Sequence, residues 1–212
     1  MSTTVLETPA VLIERISVSE QDNNVYALTS RADGGQLLID AADEADRIIE
    51  LLGEGGGHLA TVVTTHSHWD HVRALAEVVR RTGARSLAGP DAAQIAADCG
   101  VPTGELADGD IVGVGSLSLK VVTLVGHTPG SIALVYEEAG QPAQLFTGDS
   151  LFPGGVGNTW RDPARFASLF GDVVAKIFQV YDDDAVVWPG HGRPTTLGAE
   201  RGSLGEWERR GW

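Results

Sequence analysis

His66-Ser67-His68-Trp69-Asp70-His71 puts three imidazoles and a carboxylate into six consecutive residues, and any fold that holds this stretch must give those side chains a common task. Neutral imidazole nitrogens and carboxylate oxygens are the ligands that borderline cations prefer, zinc first, with iron and manganese as neighbours. The plainer alternative is a solvated polar turn after a buried strand. Leu59-Ala60-Thr61-Val62-Val63 is a short apolar, partly β-branched run of the kind that parallel strands use. Spacing argues against the plain turn. His66 and His68 are two apart and point to one side of extended backbone, whereas Asp70 and His71 open the next element and face elsewhere. Two ligand pairs suggest two adjacent metals.

The other histidines are scattered. His127 lies in Gly126-His127-Thr128-Pro129-Gly130 and His191 in Pro189-Gly190-His191-Gly192, both in tight turns after apolar runs, where a side chain can project into a pocket from the end of a sheet. Asp149 sits in the same way in Phe146-Thr147-Gly148-Asp149-Ser150. His58 follows Gly55-Gly56-Gly57 and reads as a loop histidine. Asp40, at the end of Leu37-Leu38-Ile39-Asp40, is either a partner that orients a ligand histidine or a turn residue.

In this order and at these separations, His66-x-His68-x-Asp70-His71, His127, Asp149 and His191 resemble the metallo-β-lactamase-fold hydrolases. The resemblance implies an α+β fold, an αββα sandwich of two mixed sheets flanked by helices, with metals at one edge between the sheets. It also implies that His66, His68 and His127 hold one metal, that Asp70, His71 and His191 hold a second, and that Asp149 bridges them. Asp149 and Asp70 are then the catalytic carboxylates, Asp70 being able to take the leaving-group proton. A carboxylate can bridge because it offers two oxygens. Two zinc ions per chain are expected, with iron or manganese as substitutes, and water activated between them attacks the substrate.

The 212 residues fit one domain, residues 1–212. With 29 acidic against 15 basic side chains, a net charge of -14 and no run of Lys or Arg, the chain lacks a nucleic-acid stripe, which argues against the nuclease branches and a polyanionic substrate. The lone Cys99 excludes an intrachain disulfide, suits a reducing cytoplasm and reads as packing. Met1 to Asn24 shows no basic segment followed by an apolar core, and no stretch approaches the roughly 20 apolar residues of a membrane span, so neither leader nor membrane partner is expected.

Val11 to Val18, Asn24 to Thr29 and Gln36 to Asp40 read as an opening meander, and Asp43 to Leu52 as an amphipathic helix ended by the triple glycine. After the strand Leu59–Thr65, a helix is expected over His71–Thr82, a short strand over Ser86–Ala88 and a helix over Asp91–Asp98, capped near Pro90-Asp91. Asp108-Gly109-Asp110 has a turn composition. Strands follow at Ile111–Val114, Leu117–Val125, Ile132–Tyr136 and Gln144–Thr147. Asp162 to Val180 reads as the longest helix, and Ala185–Trp188 as the closing strand.

Gly126-His127-Thr128-Pro129-Gly130-Ser131 and Phe146 to Phe152 look most like the hydroxyacylglutathione hydrolase (glyoxalase II) branch, which hydrolyses thioesters. No cysteine occupies a ligand block, unlike the commonest zinc β-lactamases. Glyoxalase II proper carries a further helical domain that helps bind glutathione, and tends to have an arginine at the position of Asn158, two departures that bear on glutathione recognition. The segment from Gly198 to Trp212 resembles the short actinobacterial members, whose organisms use mycothiol, which makes an S-acyl mycothiol a small-molecule thioester substrate to expect alongside a glutathione-linked one. Two alternatives stand beside this: a persulfide dioxygenase with one Fe(II) at the first site, and a lactonase or β-lactamase-like hydrolase. Trp69, Phe152, Asn158, Trp160, Arg161 and Arg193 are the candidates for substrate contact, the mouth being drawn from Trp69, the 152–160 loop and the turn near Arg31. Arg161 and Arg193 either grip a polar carrier or belong to a solvated surface.

Overall fold

Strands with apolar side chains on both faces must be covered on both faces, and this requirement builds the architecture. In the computed structural model, which describes residues 2–211, the first sheet orders β1 (Thr3–Glu7), β2 (Val11–Val18), β3 (Asn23–Ser30), β4 (Gly35–Ile39), β5 (His58–Thr64), β6 (Arg85–Ala88) and β7 (Thr103–Glu105) side by side. It is antiparallel from β1 to β4 and parallel from β4 to β7. The second sheet runs β15 (Thr195–Thr196), β14 (Val186–Pro189), β11 (Gln144–Gly148), β10 (Ile132–Tyr136), β9 (Leu117–Thr123) and β8 (Ile111–Val114), with β11 and β14 parallel. Both sheets are mixed.

Side chains alternate between layers along each strand. Tyr26 and Leu28 of β3, Leu37 and Ile39 of β4, and Leu134 of β10 meet Phe146 and Trp188 between the sheets. Val25, Ala27, Leu38 and Val62 face the other way, onto α1 (Ala45–Glu54), α2 (Leu75–Thr82) and α3 (Ala92–Cys99). Ala133, Val135 and Leu145 do the same on the second sheet, beneath α4 (Pro163–Val173), α5 (Leu197–Arg201) and α6 (Leu204–Arg210). Helix, sheet, sheet, helix is the αββα order expected.

Most expected elements lie within a residue or two of their read positions, and the differences have local causes. The helix after the ligand stretch begins at Leu75, because Trp69–His71 first form one tight 3₁₀ turn that aims Asp70 and His71 inward, and Ala74 N–H is tied to Ala41 O. The longest helix is interrupted: Asp162 caps α4 through the amides of Ala164 and Arg165, but after Val173 the chain widens into a π-helical stretch, Val174–Phe178. Asp91 does not cap α3 with its side chain. Asp108-Gly109-Asp110 is a turn, with Asp110 accepting from Ala107 N and Asp108 from Thr123 N. Cys99 is half-buried and packs on the α1–α3 layer. The short elements β1, β7, β15, α5 and α6, and the hairpin β12 (Leu151–Phe152) with β13 (Gly155–Val156), carry too little periodicity to be read in advance. None of the helices among the described residues is long and apolar enough to cross a membrane.

The turn near Arg31 is displaced from its expected place. In β3, Asn23 bridges to His191 at the ligand end, and Ser30, seven residues on, closes the opposite end beside Arg31. His58, at the start of β5, shares that far end, with its N–H on Gly34 O. Antiparallel β3 thus carries Arg31 a full strand length away from the ligands, and it has no part in the mouth.

Candidate metal centre

The seven ligand candidates are delivered by four separate chain segments, 66–71 and the turns at His127, Asp149 and His191, to one end of the two sheets. His66 Nε2 stands 3.1 Å from His68 Nδ1, and His127 Nε2 3.0 Å from the same atom. His71 Nε2 and His191 Nε2 are 3.2 Å apart. Two nitrogens bound at 2.0–2.1 Å to one tetrahedral zinc stand roughly 3.3 Å apart, so the spacing is that of co-ligands. His66, His68 and His127 form one set able to hold a metal, and Asp70, His71 and His191 a second. Asp149 lies between them: Oδ2 is 3.6 Å from His127 Nε2 and 3.4 Å from His191 Nε2, and Oδ1 is 3.5 Å from His71 Nε2.

The far nitrogens explain why the near ones point inward. His127 Nδ1 donates to Asn158 O at 2.9 Å, His191 Nδ1 to Gln21 O at 2.8 Å, and His71 Nδ1 to Asp40 Oδ2 at 2.9 Å. Each such bond places the proton on the outer nitrogen and leaves a lone pair facing the cleft. His66 Nδ1 lies 3.1 Å from Thr65 Oγ1, which itself donates to Asp40 Oδ2 at 2.8 Å. Asp40 therefore orients ligands from both sets, and the partner role prevails over the turn role. It is buried, in left-handed backbone, and its Oδ1 takes Thr65 N–H at 2.7 Å.

Electrostatics divide the two sets. Burial pushes His66 well below the usual histidine range, with His71, His127 and His68 adding to it, and burial also lowers His68 and His127. The first set is neutral and ready to coordinate. Burial opposes charge on His191 as well, but its hydrogen bonds to Asp149 and Asp70 outweigh that and raise it to about 10. Burial opposes charge on His71 too, and the Asp40 carboxylate prevails and raises it. For Asp70 and Asp149 burial favours the neutral acid, and His191 and His71 overcome this and hold both below the usual carboxylate range. Asp70 and Asp149 thus demand positive charge, which a proton on His191 supplies when no cation does.

One buried atom marks where such a cation belongs. Asp149 Oδ1 is buried with no hydrogen-bond partner among the described residues, a costly state for a carboxylate oxygen unless a cation satisfies it. Space is kept for it: a Cβ on Gly190 would meet Asp149 Oδ1 at 2.3 Å and His71 Cε1 at 2.8 Å. The donor set, its spacing and its unsatisfied oxygen fit a divalent metal.

Residues 19–191 match the metallo-beta-lactamase superfamily. The chain belongs to that superfamily. It is 37% identical over 174 residues to the hydroxyacylglutathione hydrolase of Anaeromyxobacter dehalogenans (strain 2CP-C), an alignment covering 81% of this chain and 62% of that protein. It is also 29% identical over 185 residues to the hydroxyacylglutathione hydrolase GloC of Haemophilus influenzae, covering 78% and 84% respectively. The chain thus spans only about three fifths of the length of the first of these relatives. Among solved structures, ETHE1 from Myxococcus xanthus superposes with a TM-score of 0.76 at 27% identity, covering 89% of this chain and 81% of that one. TTHA1623 in a di-iron-bound form superposes with a TM-score of 0.73 at 27% identity, covering 88% and 96%. Metal binding is a property of this superfamily, and the paired histidine and aspartate sets lie within the matched residues.

The substrate-contact candidates fall around the same end, with different roles. Trp69 is 61% exposed, with the Arg73 guanidinium 3.6 Å above its ring. Trp160 is 51% exposed and stacks on His127. The Phe152 ring lies 6.4 Å from that of His191. Asn158 turns its side chain back to accept from Trp160 N at 2.8 Å, and its carbonyl serves His127. Arg161 and Arg193 are exposed.

Several contributors were not legible in the sequence. Buried Asn23 donates to Asp70 Oδ2 at 3.1 Å and to Asp70 O at 3.2 Å. Asp91 joins the two turns of the first set, taking Ser67 N–H at 3.1 Å and Thr128 Oγ1–H at 2.6 Å. The only advance signal for Asn23 is an amide pair, Asn23-Asn24, opening an otherwise apolar strand.

Proposed function

We propose that this chain is a metal-dependent hydrolase of thioesters, acting on the S-acyl form of a low-molecular-weight thiol such as mycothiol or glutathione. In this reading residues 1–212 are one catalytic domain working in the cytoplasm on a small molecule, with zinc in both sets. The observation that carries it is the convergence of seven ligand side chains around the unsatisfied Asp149 oxygen. The hydroxyacylglutathione hydrolases at 37% and 29% identity support the thioester class.

His66, His68 and His127 would hold one zinc and Asp70, His71 and His191 the other, with Asp149 serving both. Bound there, the pair would polarise the thioester carbonyl and make water acidic enough to attack at neutral pH. Asp40, Asn23, Gln21 O and Asn158 O each fix the direction of one ligand atom before substrate binds. Asp70 Oδ2, fixed by Asn23, would take the proton released by the attacking water and pass it to the departing thiolate. A thiolate needs little such help, which suits a site with so few proton carriers. Trp69, Phe152 and Trp160 form the rim on which acyl group and carrier rest.

The test is a comparison of kcat/KM for S-lactoylglutathione, an S-acyl mycothiol and a β-lactam. The mycothiol ester ranks first in this account, and a β-lactam turned over faster than both thioesters overturns it in favour of the β-lactamase-like alternative. A second reading, one Fe(II) at the first site oxidising a thiol persulfide, draws support from the 27% likeness to ETHE1, and the di-iron neighbour supports iron as a metal for the site. Oxygen uptake with a persulfide, absent with zinc and present with iron alone, would select it.

A further inference from the structure

Trp160 and Arg161 are consecutive non-glycine residues in left-handed backbone, at φ 54° and 59°. For a bulky residue such a conformation is costly and persists only where its surroundings impose it. The surroundings are specific. Asn158 Oδ1 accepts Trp160 N–H at 2.8 Å, and the Arg165 guanidinium lies 4.4 Å over the indole. Arg165 is itself tied down, donating to Gly126 O at 2.8 Å and to His127 O. The indole so placed stacks on the His127 ring, with centroids 5.4 Å apart and planes 25° apart, and meets the His68 ring edge-on at 5.6 Å.

These contacts complete what the hydrogen bonds leave open. The bond from His127 Nδ1 to Asn158 O fixes where one nitrogen points, but the ring remains free to tilt about that bond. A stacked indole removes the tilt, and its edge contact limits His68 in the same way. We infer that Trp160 is a positioning residue for the first metal set: its strained backbone presents the indole that fixes the aim of His127 Nε2 and His68 Nδ1. This rests on the metal reading above and adds to it a residue that touches no metal.

Glycine and asparagine accept left-handed backbone, so Trp160→Gly and Trp160→Asn remove the ring while relieving the strain. With His191→Ala as the background, only the first set binds metal, and cobalt(II) affinity is read by chelator competition with the ligand-field spectrum recorded alongside. Both variants should weaken cobalt binding about 10- to 100-fold and alter the spectrum, the range typical of groups that orient ligands. Trp160→Phe, which keeps a stacking ring, should stay within about threefold, a small fraction of that range. Melting temperatures of the metal-free Gly and Asn variants should be unchanged or higher, because the strain is gone. Unchanged cobalt affinity and spectrum in the Gly and Asn variants would overturn the inference, and so would failure of both to fold, since Trp160 would then be a folding element. Failure of the His191→Ala parent to bind any cobalt would instead sink the metal reading.

Discussion

Asp149→Asn leaves the fold in place and removes nearly all hydrolysis, with kcat falling by about 10³-fold or more, equivalent to roughly 4 kcal/mol of transition-state stabilisation. The reason is the position of the carboxylate between the two histidine sets, with one oxygen 3.4–3.6 Å from His191 and His127 and the other 3.5 Å from His71. An amide is isosteric, so packing against Gly190 is kept. It carries no charge, and one of its two ends presents N–H groups where a lone pair is required. The loss therefore falls on chemistry and on shared metal binding, and a thermal melt of the variant should stay close to wild type. Activity within a few-fold of wild type would show that Asp149 does not serve both sets.

His191→Ala should halve the metal content, from two per chain to one, and lower thioester kcat/KM by at least about 10²-fold. His191 is the most exposed of the second-set ligands, with its side chain 23% accessible, and it contributes through Nε2 to Asp70 and Asp149 and through Nδ1 to Gln21 O. Its removal opens the cleft edge and leaves intact the first set, in which His66 and His127 are buried and His68 half-buried. Native mass spectrometry reads the outcome directly: loss of both metals, or of neither, would show that the ligands do not divide into these two sets.

The parts of this site legible in the sequence are those where chemistry is written into consecutive residues or into glycine-bounded turns. The His66 to His71 stretch and the turns at His127, Asp149 and His191 are of that kind, and the structure brings all of them together. Asp40 was open to two readings because an aspartate at a strand end has the same local signature whether it turns the chain or orients His71. Asn23, Asp91 and the carbonyls of Gln21 and Asn158 were hidden for another reason. They act through main chain or across long sequence separations, and only the assembled sheet ends place Asn23 beside Asp70 or Asp91 beside Thr128. Arg31 was misplaced by the same gap, since strand direction in a mixed sheet is a tertiary property. The αββα layering was legible in the resemblance, and β3, β4 and β10, buried on both faces, read as apolar runs, whereas the two-residue strands β12, β13 and β15 were too short to carry any pattern.

The central claim is that these seven side chains hold two metals for hydrolysis, and the metal content of the protein purified without added metal tests it most directly. Native mass spectrometry should show two zinc ions per chain, with thioester hydrolysis lost on chelation and restored by zinc. A protein that never carries more than one metal, that metal being iron, and that leaves thioesters intact would contradict the account.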